Sequence, residues 1–284
     1  MRTPALLLLL SFVGCTSLFF QPTRRFYVSP EEFKLKYEAV RFPSQDGTAL
    51  TGLFLHASTA PVRGTVIQFH GNGENMTSHY VYAAWLTAGG YNVFAFDYRG
   101  YGASEGVPGL KGAVADGIAA IDYVMGRRDV DPARVAVWGQ SLGGALAVAA
   151  LGSRRGPAVR ALVLESAFDS YRGVAQDVLS RNWLTWALRW PLSRLLISDR
   201  YRPARFAASL PPCRILVIHG EADRVVPYRF GERLFARLPE PKEFWRVERA
   251  RHLDVFGDYG AIYRPRLKDF LDRALVGRSL DKAR

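Results

Sequence analysis

The sequence predicts an α/β fold, a mostly parallel sheet of eight strands covered by helices on both faces. Three observations predict it. Short apolar runs alternate with helix-sized segments along most of the chain. From the third run onward these runs are continuous rather than two-periodic, as strands buried on both faces should be. One interval, 170–210, breaks the rhythm and reads as a helical cap inserted into the alternation.

The strand candidates are 38–42, 49–56, 65–69, 92–96, 134–138, 160–165, 214–218 and 243–248. Asp46-Gly47 between the first two is a hairpin signal, so that pair is expected to be antiparallel. Helices are expected near 76–88, 110–126, 142–152, 226–238 and 258–275. The cap interval carries Trp183, Trp186 and Trp190 among leucines, with Arg181, Arg189 and Arg194 interleaved. That pattern suits either an apolar ligand or core packing at helical spacing. The domain organisation follows as 1–14 signal, 15–35 tether, 36–278 globular domain with the cap at 170–210.

The 284 residues, 49% hydrophobic and 23% charged, are enough for one large domain or two small ones. They exclude disorder, and no repeat of the collagen or coiled-coil kind is present. Net charge is +12, and only six of the 38 basic residues are Lys, so 32 are Arg. Such an excess invites anionic partners. The arginines are scattered with no tract of five or more, which argues against nucleic acid and leaves anionic headgroups or simply an Arg-preferring surface.

Met1–Cys15 has the anatomy of a secretory signal: Arg2, the short apolar run Ala5–Val13, and Gly14 before Cys15. The run is too short to span a bilayer, which needs about 20 residues. Phe12-Val13-Gly14-Cys15 resembles the lipobox of bacterial lipoproteins, with Phe12 where Leu is usual. The resemblance implies cleavage before Cys15, a diacylglyceryl group on its sulfur, and anchoring in the bacterial cell envelope. Thr16 rather than Asp after the cysteine implies passage to the outer membrane. The following tether, with Phe19-Phe20 and Arg24-Arg25-Phe26-Tyr27, could rest on a membrane or cap the domain. Cys213 then has no partner, and it is expected to be a small buried hydrophobe.

The chemistry is carried by Gly139-Gln140-Ser141-Leu142-Gly143-Gly144, which joins a buried strand to a helix of small residues. This is the Gly-x-Ser-x-Gly elbow in the context it requires, with Gly139 and Gly143 leaving room for a sharp turn. The bland alternative is a glycine-rich strand-to-helix turn or a phosphate loop, but the Walker lysine is missing. A serine needs a base oriented by an acid, and the elbow predicts the order Ser, Asp or Glu, His. His56, His70 and His79 precede Ser141, and His219 ends a strand. His252 is left as the base. Asp223 is the expected acid, with Glu221 and Asp254 as competitors. Oxyanion donors are expected from the N–H of Leu142 and, in the loop His70-Gly71-Asn72-Gly73-Glu74-Asn75, from the N–H of Asn72, with Gly71 and Gly73 shaping the turn.

With these residues the chain resembles the alpha/beta-hydrolase superfamily, and within it the Bem46-like group. The likeness rests on residues 70–75, on Phe96-Asp97-Tyr98-Arg99-Gly100-Tyr101-Gly102 with Ser104, on the Ser141 elbow, on His219-Gly220-Glu221-Ala222-Asp223, and on His252. It implies an eight-stranded sheet and serine hydrolase chemistry, relatives being depalmitoylating thioesterases and lysophospholipases. It also implies a structural turn at Asp97. Gly73 stands where Ala is common, and Leu253 where Asn is.

The expected function is therefore hydrolysis of carboxylic esters or thioesters, lysophospholipid-like or acyl-thioester substrates included. The rivals are a serine peptidase using the same three residues and a non-catalytic lipid-binding protein on this scaffold. The substrate is expected to be a small acyl compound, with a membrane surface met through the lipid anchor. No cofactor or metal is expected, since no His-Glu-x-x-His or zinc-type cysteine spacing occurs.

Overall fold

Strands form where the apolar runs fall. In a computed structural model, which describes residues 19–277, β1 (Tyr37–Pro43) and β2 (Ala49–Leu55) pair antiparallel. Their turn holds Gly47 at φ +84°. The others are β3 (Gly64–Phe69), β4 (Tyr91–Phe96), β5 (Val135–Gln140), β6 (Ala161–Glu165), β7 (Arg214–Gly220) and β8 (Lys242–Val247). Their order across the sheet is β8-β7-β6-β5-β3-β4-β2-β1, with β2 antiparallel to both neighbours and every other pair parallel. The expected signal and Cys15 lie outside the described residues.

The two-residue pleat explains why the central strands read as unbroken apolar runs. In β3, Ile67 and Phe69 enter one core layer while Val66 enters the other; in β5, Val135 and Val137 oppose Ala136 and Trp138. Helices α1 (Leu110–Met125) and α2 (Leu142–Ser153) bury the first layer, and the C-terminal helix Gly260–Leu275 closes the second. Cys213 is buried and free, as its apolar setting suggested.

The segment expected as one helix over 76–88 is instead three short turns, Met76–His79, Val81–Ala84 and Trp85–Gly89. Thr77, Ser78, Val81 and Thr87 are poor helix formers, and the Thr87 hydroxyl bonds the Ala84 carbonyl. The insertion at 170–210 contains α3 (Tyr171–Ser180), a single turn Trp183–Trp186, α4 (Arg189–Leu196) and a turn Pro203–Phe206. Of the remaining helices, α5 is Tyr228–Arg237 and α6 is the Gly260–Leu275 helix above.

Residues 19–30 do not extend freely from the domain. Gln21–Pro22 runs parallel to Gly73–Glu74 as a two-residue ladder, and the Asn75 amide donates to the Arg25 carbonyl at 2.7 Å. Of the two roles open to this stretch, capping the domain is the one it fills here.

Candidate active site

The loops after four strands, β3, β5, β7 and β8, supply the candidate site. The order reverses between β3 and β5, and the crevice at that switch is where open α/β sheets gather their functional loops. Ser141 follows β5 and caps α2 with φ +52° and ψ −118°, a conformation L-residues rarely adopt. The two glycines make it attainable. A Cβ on Gly143 would lie 2.1 Å from the Phe69 carbonyl oxygen, and one on Gly139 2.5 Å from the Gly144 Cα. The Ser141 N–H donates to the Glu165 carbonyl at 2.8 Å, tying the elbow to β6.

His252 comes from the loop after β8, and its Nε2 lies 3.1 Å from Ser141 Oγ. Its Nδ1 is 2.7 Å from Asp223 Oδ2, in the loop after β7. The neutral tautomer that satisfies both contacts carries its proton on Nδ1 and leaves Nε2 as an acceptor for the serine hydroxyl. The two loops are fastened to each other: Ala222 N–H donates to Ala250 O at 3.0 Å, and Glu221 N–H to Val247 O at 3.0 Å. Leu253 holds φ +59°, so the chain turns sharply just after the imidazole.

Asp223 is buried, which opposes its charge. The His252 imidazole at 2.7 Å and the N–H groups of Val225 and Val226 at 2.9 Å each, with the His219 ring close by, nevertheless hold its carboxyl well below the usual range. His219 Nε2 donates to the Val226 carbonyl at 2.8 Å and stands 3.5 Å from Asp223 Oδ2. It thus buttresses the acid's loop from the end of β7. Of the competing acids, Glu221 turns outward to Arg246 and Asp254 faces Arg251 at 3.4 Å. Only Asp223 meets the imidazole.

The loop after β3 comes alongside Ser141: a Cβ on Gly71 would sit 4.0 Å from the serine Cβ and 3.4 Å from His79 Cε1. Among the described residues no acceptor takes the N–H of Asn72 or of Leu142, the first residue of α2. Both N–H groups are therefore left without an intramolecular partner among those residues, Leu142's at the start of α2. Gly73 pairs with Gln21 and has open space where a Cβ would be.

Two supports were not read from the sequence. The Asn72 carbonyl accepts the Tyr101 hydroxyl at 2.7 Å and the Gln21 N–H at 2.9 Å, so the N-terminal strap and the 97–102 turn hold this loop together. The second is a buried amide chain beneath the elbow: Gln68 Nε2 bonds Gln140 Oε1 at 2.9 Å, and Gln140 Nε2 bonds Glu165 Oε2 at 2.9 Å. The available signal was a polar residue at the end of, or inside, otherwise apolar strands. Burial pushes the Glu165 carboxyl up to about 7 and lowers both His70 and His79, keeping those imidazoles neutral. Asp97 is turned to the Met76 N–H at 2.7 Å and takes no part in the Ser141 contacts, in keeping with a structural turn.

Among the described residues one cluster has metal-type donors within reach of one another, Glu38, His56 and Asp129. Arg127 bonds both carboxylates, at 3.1 and 2.7 Å, and offsets part of their charge. The free space near the candidate base is an open cleft of about 500 Å³ lined by Ala222, Arg224, Val225, Arg249, Arg251, His252 and Asp254.

An eight-stranded, mostly parallel sheet with serine on a strained elbow after its fifth strand is the architecture of the alpha/beta-hydrolase superfamily. The chain belongs to that superfamily, and residues 60–206 match the family described as serine aminopeptidase, S33. It is 36% identical to protein YfhR of Escherichia coli K12, with 96% of each chain aligned. It is 31% identical to protein bem46 of Schizosaccharomyces pombe, over 74% of this chain and 69% of the relative. In fold it is similar to an esterase of Pyrococcus furiosus, with a TM-score of 0.71 at 21% identity, covering 90% of this chain and 98% of that one.

The raised carboxyl of Glu165 predicts an inverse pH dependence of stability. Its folded value of about 7 exceeds the ordinary 4.5, so the penalty of ionising it grows as pH climbs from 4.5 to about 7 and is constant above. Glu165→Gln should therefore be more stable than the parent at pH 8, by about 3 kcal/mol. The gap should close below pH 4.5. Urea denaturation at the two pH values reads this directly, and equal stability of the two proteins at pH 8 would refute it.

Proposed function

We propose that the protein is a serine hydrolase of carboxylic esters or thioesters, acting through an acyl-enzyme. The observation that carries this is the imidazole of His252 standing between Ser141 Oγ, at 3.1 Å, and Asp223 Oδ2, at 2.7 Å. His252 Nε2 takes the hydroxyl proton as Oγ attacks the carbonyl carbon, and Asp223 stabilises the imidazolium that results. The N–H groups of Asn72 and Leu142 receive the oxyanion. Collapse of the tetrahedral adduct passes the proton from His252 to the leaving oxygen or sulfur. Water then enters, His252 takes its proton, and the ester to Ser141 is hydrolysed.

The arginines around the cleft beside His252 favour an acyl compound whose leaving group is anionic, as in a lysophospholipid-like ester or an acyl thioester of an anionic thiol. The family description also supports a second reading, an aminopeptidase using the same residues. An aminopeptidase must hold a substrate ammonium, and the lining of Arg224, Arg249 and Arg251 against the lone Asp254 repels one. A dead, lipid-binding scaffold has no specific observation in its favour, since all three polar partners are present and in contact. We further propose, from the lipobox-like 12–15, that Cys15 is lipidated and anchors the protein in a bacterial cell envelope.

Ser141→Ala should abolish both turnover of acyl esters and labelling by a fluorophosphonate probe, and a panel of acyl esters beside aminoacyl-arylamides separates the two enzymatic readings. Labelling of the Ser141→Ala protein, or hydrolysis of arylamides in preference to esters, would overturn the assignment. Tyr101→Phe should lower kcat more than it raises KM, because the Asn72 carbonyl loses its hydroxyl partner while the triad contacts are untouched; full loss of an oxyanion donor costs roughly 2.7–4 kcal/mol, and this looser loop should cost less. Steady-state kinetics on one good ester measure it. Cys15→Ala should lose incorporation of radiolabelled fatty acid in cells, and retained incorporation would dismiss the anchor.

A further inference from the structure

Among the described residues, the three most exposed tryptophans lie in one stretch of the cap. Trp183 is 83% exposed, Trp186 54% and Trp190 51%, and Leu184, Leu188 and Leu195 are exposed beside them. The stretch is anchored from its inner side. Ser193 of α4 is buried and accepts the Gln176 side-chain amide of α3 at 2.9 Å, and Ile197 joins the core. The tryptophans thus present an outer face on an ordered support.

Arg181 is paired with Asp177, but among the described residues Arg189 and Arg194 meet no carboxylate, and no Asp or Glu occurs from Val178 to Ser198. Arg189 lies over the Trp186 ring at 4.2 Å and 5.9 Å from the Trp190 ring centroid, and Arg194 is 6.0 Å from that of Trp190. Indole rings prefer the boundary between headgroups and acyl chains, and arginines beside them keep their stems in apolar surroundings while the guanidinium meets phosphate. A protein partner with an acidic groove could match such charge, but the whole chain carries +12, which a broad anionic surface suits better.

Phe19, the first described residue, meets the cap at its base. Phe19 packs edge-on against Tyr171, the first residue of α3, at 5.3 Å between centroids, and against Phe168 at 6.4 Å. Cys15 is four residues earlier, a reach of at most about 14 Å.

We propose that the cap face from Trp183 to Leu195 is a docking surface for an anionic phospholipid bilayer. The three indoles lie at the headgroup boundary, and Arg189 and Arg194 contact lipid phosphates. The proposal needs no catalysis and stands apart from the hydrolase reading.

The test is fluorescence of the full chain added to vesicles of phosphatidylglycerol and phosphatidylcholine carrying brominated acyl chains. Three of the six tryptophans are on the cap, so emission should fall by about half relative to unbrominated vesicles. The fall should shrink when phosphatidylglycerol is omitted. Replacement of all three (Trp183→Ser, Trp186→Ser, Trp190→Ser) should remove the quenching while circular dichroism and fluorophosphonate labelling stay as in the parent. Protein that floats with the vesicles yet shows no bromine quenching would overturn the proposal, assigning the contact to the N-terminus alone. So would a dimer of the parent that the triple variant disperses in sedimentation, since the face would then belong to a second copy.

Discussion

The φ of +52° at Ser141 is the constraint on which the rest of the structure leans. A non-glycine residue held there costs of order 1–3 kcal/mol, and it persists only where the surroundings over-determine it. Here they do. Bare glycines let the backbone of β3 and the start of α2 close in on the elbow, the Glu165 carbonyl receives the Ser141 N–H, and α2 is buried from Leu142 to Leu151. Glu74, Ser166, Arg249 and Leu253 also have positive φ, and all sit in or beside the loops at the carboxyl ends of strands. The strain is concentrated where the sheet presents its functional groups.

Two deeply buried aspartates show how environment divides the same chemistry. Asp97 has one backbone donor, from Met76, and burial pushes its carboxyl up to about 7. Asp223 is surrounded by two imidazoles and two backbone N–H groups, and it stays charged. The number of donors, and not the depth, sets the outcome. The chain places a permanent negative charge behind His252 while keeping neighbouring carboxyls near neutrality.

The sheet was legible because its signal is local: β5 and β6 are apolar up to their last residues, Gln140 and Glu165, and Asp46-Gly47 favours a tight turn. The Ser141 elbow was legible for a related reason, as glycines at fixed offsets report steric crowding that no other residue tolerates. His252 and Asp223 could be ranked by chain order, but their meeting depends on loops 220–223 and 248–252 being fastened to each other, which no short motif encodes. Breakage of the 76–88 helix, the Gln68-Gln140-Glu165 chain and the exposed faces of Trp183, Trp186 and Trp190 were not legible. Each depends on which way a side chain faces once the sheet has closed. Helical spacing of tryptophans is the same for a core and for a surface.

The strap at 19–27 bears on the sequence of events in folding. Gln21 must find Asn72 and Gly73, about fifty residues onward, and Gly102 must find the Thr23 carbonyl. These partners do not exist as a surface until β3, β4 and the turn after β4 have assembled, so the first-made part of the chain docks late, and closing so wide a loop earlier gains nothing to offset its entropy. A nascent or half-folded molecule would thus have its serine in place before the neighbouring loop is locked. Docking of the strap is thus the step that completes the loop beside Ser141.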